Sequence, residues 1–289
     1  MGESGSGKTV FARSIAGLLP PRGVKREGEI LFQGRDLLKL DEHELRRVLG
    51  AEIAMIFQDP MTALNPVMRV GAQVVEELRL REKLNRREAR DAAIALLRSV
   101  HIPAPESVVR RYPHELSGGM RQRIVIAIAI SCGPQILLAD EPTTALDVTV
   151  QAQILDLLAE KQRETNAATI LVTHDLGVVA NRTDRTAVMY AGKIVEIGPT
   201  ASLFQDTRMP YTEALLKSIP RMDTPTRSRL QAIGGRPPDL AKPREGCRFA
   251  ERCPYVRDRC RVEEPTLQPT ATPEHQFACW YPVGLNRIE

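Results

Sequence analysis

Short apolar runs alternate along this chain with amphipathic stretches, and the alternation predicts an α/β fold. The continuous apolar run at 53–57 and the run at 136–140, which ends in an acid, are typical of buried strands, and residues 169–173 predict a further strand. Apolar residues spaced three and four apart from about 71 to 100 and from about 150 to 163 indicate helices. Strands that alternate with helices favour a mostly parallel sheet.

Capping and turn residues bound further predicted elements. A helix over residues 10–19 is expected to end at Pro20, which cannot continue it. Ser117 can cap the helix that follows it. Residues 187–190 and 193–197 flank an Ala-Gly pair and predict a hairpin.

We expect three parts. Residues 1–58 and 134–220 form the α/β core, and residues 59–133 form a helical subdomain inserted into it. Past residue 221 prolines, glycines and basic residues become frequent and periodicity fades. Residues 221–289 are therefore predicted to be an irregular extension that contains cysteines.

Composition places the chain among ordinary globular proteins. Its 289 residues are 43% hydrophobic and 26% charged, with a net charge of +4 that does not indicate a nucleic-acid binder. No apolar run approaches the roughly 18–20 residues that cross a bilayer, and no signal-peptide pattern occurs. The chain is predicted to be cytoplasmic and to reach a membrane only by docking.

The first nine residues carry the strongest motif, the phosphate-binding loop G-x-x-x-x-G-K-[ST]. Glycines let backbone N–H groups turn inward around phosphates. Lys8 supplies positive charge to the β- and γ-phosphates, and Thr9 offers a hydroxyl to Mg²⁺. A flexible glycine-rich terminus is the weaker alternative. The predicted nucleotide-binding residues of this loop are Gly2, Ser4, Gly5, Ser6, Gly7, Lys8 and Thr9.

Polar residues follow three predicted strands and complete the candidate site. Asp140 would hold Mg²⁺, and Glu141 could act as the general base on the attacking water. Gln58 could reach Mg²⁺ or this water, and His174 could contact the γ-phosphate. Such residues are often merely solvated or packed, but the carboxyl ends of parallel strands meet at one edge. Thr9, Gln58 and Asp140 are the predicted Mg²⁺ ligands, and Glu141, His174 and Gln58 the predicted catalytic residues.

A second anion-binding element lies at residues 116–123, Leu-Ser-Gly-Gly-Met-Arg-Gln-Arg. Ser117, Gly118 and Gly119 open a helix with a hydroxyl, bare backbone N–H groups and a helix dipole. The alternative is a glycine linker before a core helix.

These motifs, in this order, resemble those of ABC transporter ATPase subunits over residues 2 to about 220. Four further segments resemble the dipeptide/oligopeptide/nickel importer subfamily, in particular the D type of its two ATPase subunits. They are Phe57-Gln-Asp-Pro-Met61, Tyr112-Pro-His-Glu115, Asp140 to Thr149 and Met189-Tyr-Ala-Gly192.

The resemblance implies a P-loop NTPase (RecA-like) core that binds ATP and Mg²⁺. It implies a head-to-tail dimer in which each ATP lies between one P-loop and the partner's Ser117, Gly118 and Gly119, with Asp147 also at the nucleotide. The expected partners are a second ATPase subunit (an F-type homologue or a second copy), two membrane permease subunits and, indirectly, a substrate-binding protein. The expected location is peripheral, on the cytoplasmic face of the inner membrane.

The expected activity is ATP hydrolysis that powers import of di- or oligopeptides. Nickel and glutathione stay open as cargo, since the permease and the binding protein recognise it.

A soluble ABC ATPase acting on DNA or ribosomes is the less favoured alternative, because the chain has one cassette and no long coiled-coil insert. No nucleic-acid partner is expected. A non-catalytic subunit would predict loss of Glu141 or His174, and both are present.

Four cysteines lie near the carboxyl end, at Cys247, Cys253, Cys260 and Cys279. Their spacing is not that of a zinc ribbon, and a reducing cytoplasm disfavours disulfides. Spacing alone leaves zinc and an iron–sulfur cluster equally open, besides unligated cysteines. Residues 246–254 resemble the extension of the same subfamily, some members of which hold a [4Fe–4S] cluster, and this resemblance favours the cluster.

Members of the family that the chain resembles begin earlier. The earlier segment holds the strand that enters the P-loop and an aromatic residue that stacks on adenine. A misassigned start, a degenerate fragment and a genuine but impaired short form are the competing explanations. We expect a misassigned start, since every downstream catalytic residue is intact.

Overall fold

The computed structural model describes residues 1–20, 22–76, 78–79, 84–144, 146–218, 233–241 and 245–284. The chain forms two compact units. We call residues 9–172 the sheet–helix unit, and residues 1–8 with 173–289 the extension unit. The three-part division drawn from the sequence stays a prediction, and its boundary at 220/221 lies outside the described residues.

The sheet–helix unit contains the parallel sheet and the longer helices. Its strands are β1 (Leu31–Phe32), β2 (Arg35–Asp36), β3 (Ile53–Ile56), β4 (Ile136–Asp140) and β5 (Ala168–Val172). A 3₁₀ turn covers Pro113–Glu115. Its described helices are α1 (Lys8–Ile15, in this unit from Thr9 onward), α2 (Glu42–Val48), α3 (Pro60–Ala63), α4 (Val70–Val74), α5 (Arg86–Ser99), α6 (Pro105–Val108), α7 (Gly118–Ile130) and α8 (Val148–Thr165).

Strands β3, β4 and β5 form a parallel sheet in that order. Ile53 pairs with Ile136, and Asp140 at the end of β4 pairs with Val172. The predicted parallel strands are therefore present, and their carboxyl ends share one edge of the sheet. That edge carries the polar residues that follow β3 and β4.

Helix α7 lies at the centre of the core of this unit. It packs against α3, α4, α5, α8 and β3. Ile124 and Ile126 of α7 are fully buried, as are Leu97 of α5, Ile154 of α8 and Ile56 of β3. Over most of its length α7 lacks an exposed polar face. A helix of this kind is stable only because neighbouring elements surround it.

Helix α1 ends earlier than the sequence predicts. It stops at Ile15 rather than Leu19, because Gly17 takes a left-handed conformation with φ of 64°. The N–H of Leu18 then donates to Arg13 O at 2.8 Å, and that of Gly17 to Ser14 O at 3.2 Å. This pair of bonds is a Schellman motif, so glycine rather than Pro20 terminates the helix.

The predicted helical stretch at 71–100 is divided. Helices α4 and α5 lie near its two ends, and Asn85 caps α5 by accepting from the N–H groups of Arg87 and Glu88. Residues 77 and 80–83 of this stretch lie outside the described residues.

The extension unit contains an antiparallel sheet of order β6-β7-β9-β8. The predicted hairpin forms β6 and β7, and the carboxyl-terminal region adds β8 and β9, with Glu196 opposite Phe277. The extension is thus part of a sheet rather than wholly irregular. The described elements are β6 (Arg185–Tyr190), β7 (Lys193–Pro199), β8 (Gln268–Pro269), β9 (Gln276–Phe277), α9 (Leu176–Arg182), α10 (Thr200–Gln205), α11 (Pro210–Lys217), α12 (Asp258–Val262) and a 3₁₀ turn at Ala250–Arg252.

Three aromatic rings join the hairpin, α11 and the carboxyl-terminal region into one core. The ring centroid of Tyr190 lies 4.5 Å from that of Tyr211 and 5.2 Å from that of Phe249. Tyr211 and Phe249 are 5.4 Å apart. All three side chains are buried, so the carboxyl-terminal region is packed into this unit.

Candidate functional site

The P-loop is anchored on β6 within the extension unit. The nitrogen of Met1 donates to Ala187 O at 2.6 Å, and the N–H of Met189 donates to Met1 O at 2.7 Å. At the other side of the loop, the N–H of Gly192 donates to Ser6 O at 2.9 Å. Ladder-type bonds at Met1 therefore fix where the loop begins, and the turn of the β6–β7 hairpin supports its far side.

Gly2 can be replaced by no other residue without moving β6. A Cβ at this position would lie 2.2 Å from the carbonyl oxygen of Met189, and the φ of Gly2 is 152°. Side-chain atoms do not approach a backbone oxygen so closely. The motif glycine is thus explained here by close approach to a strand.

Lys8 lies across the loop that it closes. Its Nζ donates to Gly2 O at 2.8 Å and to Glu3 O at 3.0 Å, and Lys8 is 6% exposed. The buried Oγ of Ser6 has no hydrogen-bond partner in the part of the chain that the structure describes. A buried hydroxyl of this kind is suited to a ligand, and the donors of the loop fit a phosphate.

His174 lies in the same unit and on the same cleft as the start of the P-loop. The cleft has a volume of about 390 Å³, and Gly2, Ser4 and His174 are among its lining residues. His174 is exposed, just before α9. The structure therefore brings the predicted γ-phosphate contact next to the predicted phosphate loop.

The predicted Mg²⁺ ligands Thr9 and Asp140 meet in the sheet–helix unit. Thr9 Oγ1 donates to Asp140 Oδ1 at 3.0 Å, and Asp140 is 1% exposed at the end of β4. Oxygen donors of this type are those that Mg²⁺ prefers. The residues present thus fit the ion.

The predicted Glu141 and Gln58 also meet in this unit. Gln58 Nε2 donates to Glu141 Oε2 at 3.2 Å. Thr144 Oγ1 donates to the same oxygen at 2.9 Å, a contact that sequence reasoning missed although Thr144 lies only one turn along the chain. Two donors to one carboxylate oxygen hold the side chain of Glu141 in place, and its role as general base stays a prediction.

Glu141 has a backbone conformation that is rare for its residue type. Its φ is 44°, in the left-handed region, and its N–H donates to Val172 O at 2.9 Å. Such strain costs on the order of 1–3 kcal/mol and is concentrated at functional sites.

Ser117 caps α7, as predicted. Its Oγ accepts from the N–H of Met120 at 3.3 Å, and Ser117 and Gly118 are exposed. A Cβ on Gly119 would lie 2.8 Å from Val150 Cγ1 of α8, whereas one on Gly118 would meet Leu146 at 3.6 Å. The amino end of α7 thus presents an open positive dipole to solvent, with Gly119 packed closely on α8.

Asp147 caps α8. Its Oδ1 accepts from the N–H of Val150 at 3.0 Å, and its side chain is exposed. The structure gives this residue a capping contact, and its predicted place at a nucleotide stays a prediction. Ala145, two residues before it in the same motif, lies outside the described residues.

The four carboxyl-terminal cysteines surround one cavity in the extension unit. Cys247, Cys253, Cys260 and Cys279 all line it, and it holds about 10 Å³. Burial raises the pKa of Cys253 to about 11 and that of Cys279 to about 12. The four cysteines predicted as cluster ligands thus line one cavity, and their shared ligation stays a prediction.

The arrangement of the thiols does not match a single bound ion. Among the described residues, no group of three or more His, Cys, Asp and Glu side chains is positioned to hold one metal ion. The iron–sulfur cluster expected from the sequence, whose irons would each take a different thiolate, therefore stays a prediction. The cavity would have to widen, since 10 Å³ is about the volume that one water-sized probe occupies.

None of the described helices has the length and apolarity needed to span a bilayer.

Two family models match the chain. The model for the ABC transporter matches residues 1–144, and the model for the oligopeptide/dipeptide transporter C-terminal region matches residues 195–260. The dipeptide transport ATP-binding protein DppD of Bacillus subtilis is 52% identical over 97% of this chain and 83% of its own length. DppD of Escherichia coli is 47% identical over 98% of this chain and 86% of its own length.

The chain belongs to the ABC transporter family.

Solved structures agree with this family and with the predicted P-loop NTPase fold. The structure of a dimeric bacterial ABC transporter cassette has a TM-score of 0.61 at 31% identity, covering 69% of this chain and 83% of that chain. A post-hydrolysis dimeric cassette bound to ADP and Pi has a TM-score of 0.60 at 29% identity, over the same shares. The chain is an ATPase of this family, and ATP and Mg²⁺ are its substrate and cofactor.

The comparisons leave two predictions untested or unsupported. The model for the oligopeptide/dipeptide transporter C-terminal region begins at residue 195, inside β7, and the domain boundary at 221 stays a prediction. The matched family descriptions name no iron–sulfur cluster.

Proposed function

We propose that this chain is the ATP-hydrolysing subunit of an ABC importer of dipeptides or oligopeptides. The observation that carries the proposal is the convergence of the Thr9–Asp140 and Gln58–Glu141 pairs at one edge of the parallel sheet. The cargo follows from the relatives named for dipeptide and oligopeptide transport and from the matching carboxyl-terminal region.

Each contact suggests a step. The P-loop N–H groups and Lys8 bind the phosphates of ATP. Thr9 and Asp140 would hold Mg²⁺, which when bound would supply positive charge to the phosphates. Glu141 accepts a proton from the attacking water, while Gln58 and Thr144 fix the carboxylate that does so. His174, which lines the same cleft as Gly2 and Ser4, contacts the γ-phosphate.

Replacing Glu141 by Gln tests the proposal. The amide keeps the size of the side chain and an acceptor for Gln58 and Thr144 but removes the base. We expect the hydrolysis rate to fall about 100-fold or more, since general-base catalysis contributes about 10²–10⁴-fold, while the Kd for MgATP changes less than about threefold. Phosphate release and fluorescent-nucleotide binding measure the two quantities. Undiminished hydrolysis would contradict the assignment of Glu141.

A second ATPase subunit would complete the site. Ser117 and Gly118 are exposed at the positive end of α7, where they are open to the γ-phosphate of an ATP held by another P-loop. The partner is a homologous subunit or a second copy. Gly119 and Asp147 lie beside this surface through their contacts with α8.

The helical part of the sheet–helix unit would contact the permease. Five arginines, with small and apolar side chains between them, line a surface cleft of about 300 Å³ there. We call this cleft the arginine cleft; its basic residues are Arg69, Arg79, Arg86, Arg90 and Arg110. Ala72, Ala89 and Ala93 leave room between them for a partner segment. An acidic helix of a membrane subunit fits this combination of charge and shape, which supports peripheral attachment at the inner membrane.

The four-cysteine cavity would hold a [4Fe–4S] cluster. All four thiols line one cavity. In the sequence Arg248 directly follows Cys247, Arg252 directly precedes Cys253, and Arg257 lies between Cys253 and Cys260. When bound, such a cluster supplies a thiolate-held crosslink between segments far apart in sequence. No step of ATP hydrolysis is assigned to it.

A further inference from the structure

The carboxyl-terminal extension reaches the P-loop directly through Arg252. Its Nη1 donates to Glu3 Oε2 at 2.7 Å, and its Nη2 donates to Glu3 Oε1 at 3.0 Å. The side chain of Arg252 is 3% exposed and that of Glu3 is 27% exposed. This is a bidentate pair largely shielded from water, unlike the exposed ion pairs that contribute little.

The remaining donors of Arg252 are also used. Its Nε donates to Gly234 O at 2.8 Å, its Nη1 to Tyr190 Oη at 3.3 Å and its Nη2 to Ile233 O at 3.4 Å. The guanidinium has five N–H groups, so every one of them has an acceptor. The bond to Glu3 is the main reason that the pKa of Arg252 lies above its ordinary value. The orientation of this side chain is therefore fixed.

Glu3 passes this constraint to the phosphate-binding lysine. The N–H of Glu3 donates to Tyr211 Oη at 2.9 Å, and its carbonyl oxygen accepts from Lys8 Nζ at 3.0 Å. A shift of Glu3 would move the carbonyl that holds the Lys8 ammonium. The contact between Arg252 and Glu3 thus bears on the residue that meets the ATP phosphates.

Arg252 is itself held rigidly. It ends the 3₁₀ turn Ala250–Arg252, and Phe249 before this turn is 1% exposed against the rings of Tyr190 and Tyr211. Arg248, on the other side of Phe249, donates to Ala191 O in the hairpin turn. The neighbouring Gly192 donates to Ser6 O of the P-loop at 2.9 Å. Two arginines of one short segment therefore support the loop at two places.

We propose that Arg252 is a positioning residue for ATP binding, which acts through Glu3 to hold the P-loop and Lys8 in the conformation that accepts the ATP phosphates. The extension is then a part of the nucleotide site and not an independent appendage. This inference rests on ATP binding by the P-loop, as in the proposed function.

Arg252→Gln, Arg252→Lys and Glu3→Gln test the inference in the full chain. We expect Arg252→Gln to raise the Kd and the KM for MgATP about tenfold, because a charge-assisted pair is lost, while kcat changes less than about twofold. Arg252→Lys keeps the charge but loses the fork, and we expect a smaller rise of about threefold. Glu3→Gln should also raise the Kd and the KM for MgATP. It removes the same ion pair from the P-loop partner and alters no apolar core residue.

Arg259→Gln is the matched control. Arg259 lies in the same extension and forms a bidentate pair with Glu263, at 2.6 and 3.1 Å, away from the P-loop. The Kd of the Arg259→Gln variant for MgATP should equal that of the parent. Both changes remove the same interaction. The Kd of the double variant Arg252→Gln/Glu3→Gln should therefore be no higher than that of the single variant that binds MgATP more weakly.

The parental Kd separates the two proposals. A parent that does not bind MgATP would overturn both the proposed function and this inference. A parent that binds, together with an Arg252→Gln variant that melts at a lower temperature but binds MgATP with the parental Kd, would overturn this inference alone. Fully additive effects of Arg252→Gln and Glu3→Gln would also overturn it.

Discussion

The four thiols that line the cavity of the extension unit allow a prediction about single residues. Burial keeps the pKa of Cys253 near 11 and that of Cys279 near 12, so both are neutral thiols near pH 7 unless a metal displaces the proton. If they ligate a cluster, protein purified without oxygen should contain about four iron and four labile sulfide per chain. Metal and sulfide analysis, with visible absorbance, checks this.

Cys253→Ser and Cys132→Ser form a matched pair for this measurement. Cys132 is half-buried at the end of α7, in the other unit. We expect iron to be lost from Cys253→Ser and retained by Cys132→Ser. One zinc per chain in place of iron, or no metal in protein with four thiols that alkylate on unfolding, would show the cluster assignment to be wrong.

Among the predicted catalytic residues, one side-chain contact could be predicted from the sequence. The contact between Gln58 and Glu141 could be anticipated, because each follows an apolar run and parallel strands end at the same edge. The left-handed φ of Glu141 could not, since it depends on the bond from its N–H to Val172 O. Nor could the Arg252–Glu3 pair, whose members are 249 residues apart.

At the scale of elements, the close packing of α7 on α8 gives a prediction about two neighbouring glycines. A Cβ on Gly119 would lie 2.8 Å from Val150 Cγ1, and one on Gly118 would lie 3.6 Å from Leu146 Cδ2. We expect Gly119→Ala to lower the free energy of unfolding by about 1–3 kcal/mol through overpacking. Gly118→Ala should leave it unchanged or raise it, because alanine favours helix. Urea unfolding measures both.

Val150→Ala should relieve the clash. Combined with Gly119→Ala, it removes the atom that the new methyl group meets, so the double variant should be more stable than the sum of the two single effects predicts. Equal stability of the Gly118→Ala and Gly119→Ala variants would mean that α8 moves aside freely.

Elements were predictable where one local signal dominates. Strands β3, β4 and β5 are apolar runs, and Ser117 is a strong cap, so each lies close to its predicted place. Strands β8 and β9 have two residues each, and β8 ends in a proline. Their pairing depends on Glu196 facing Phe277 across 80 residues of chain, and no local periodicity indicates it.

At the scale of the whole molecule, coupling to a membrane subunit should depend on the arginine cleft. Arg86 and Arg90 lie one turn apart on α5, are exposed, and have no ion-pair partner among the described residues. Their charges are available to an acidic partner at little desolvation cost. We expect Arg86→Glu/Arg90→Glu to abolish co-purification with the permease subunits, since each reversal replaces an attraction by a repulsion.

Arg87→Glu is the control, because Arg87 lies on the same helix, forms a long ion pair with Asp91 at 4.0 Å and does not line the cleft. It changes the net charge of α5 in the same direction at a position outside the cleft. Its co-purification with the permease should match that of the parent at physiological salt and should weaken at high salt as the parental complex does. If Arg87→Glu were as damaging as the double reversal, a general charge effect would explain both, and the cleft would lose its role. If neither variant affected co-purification while peptide uptake by cells persisted, the permease would contact another surface of this subunit.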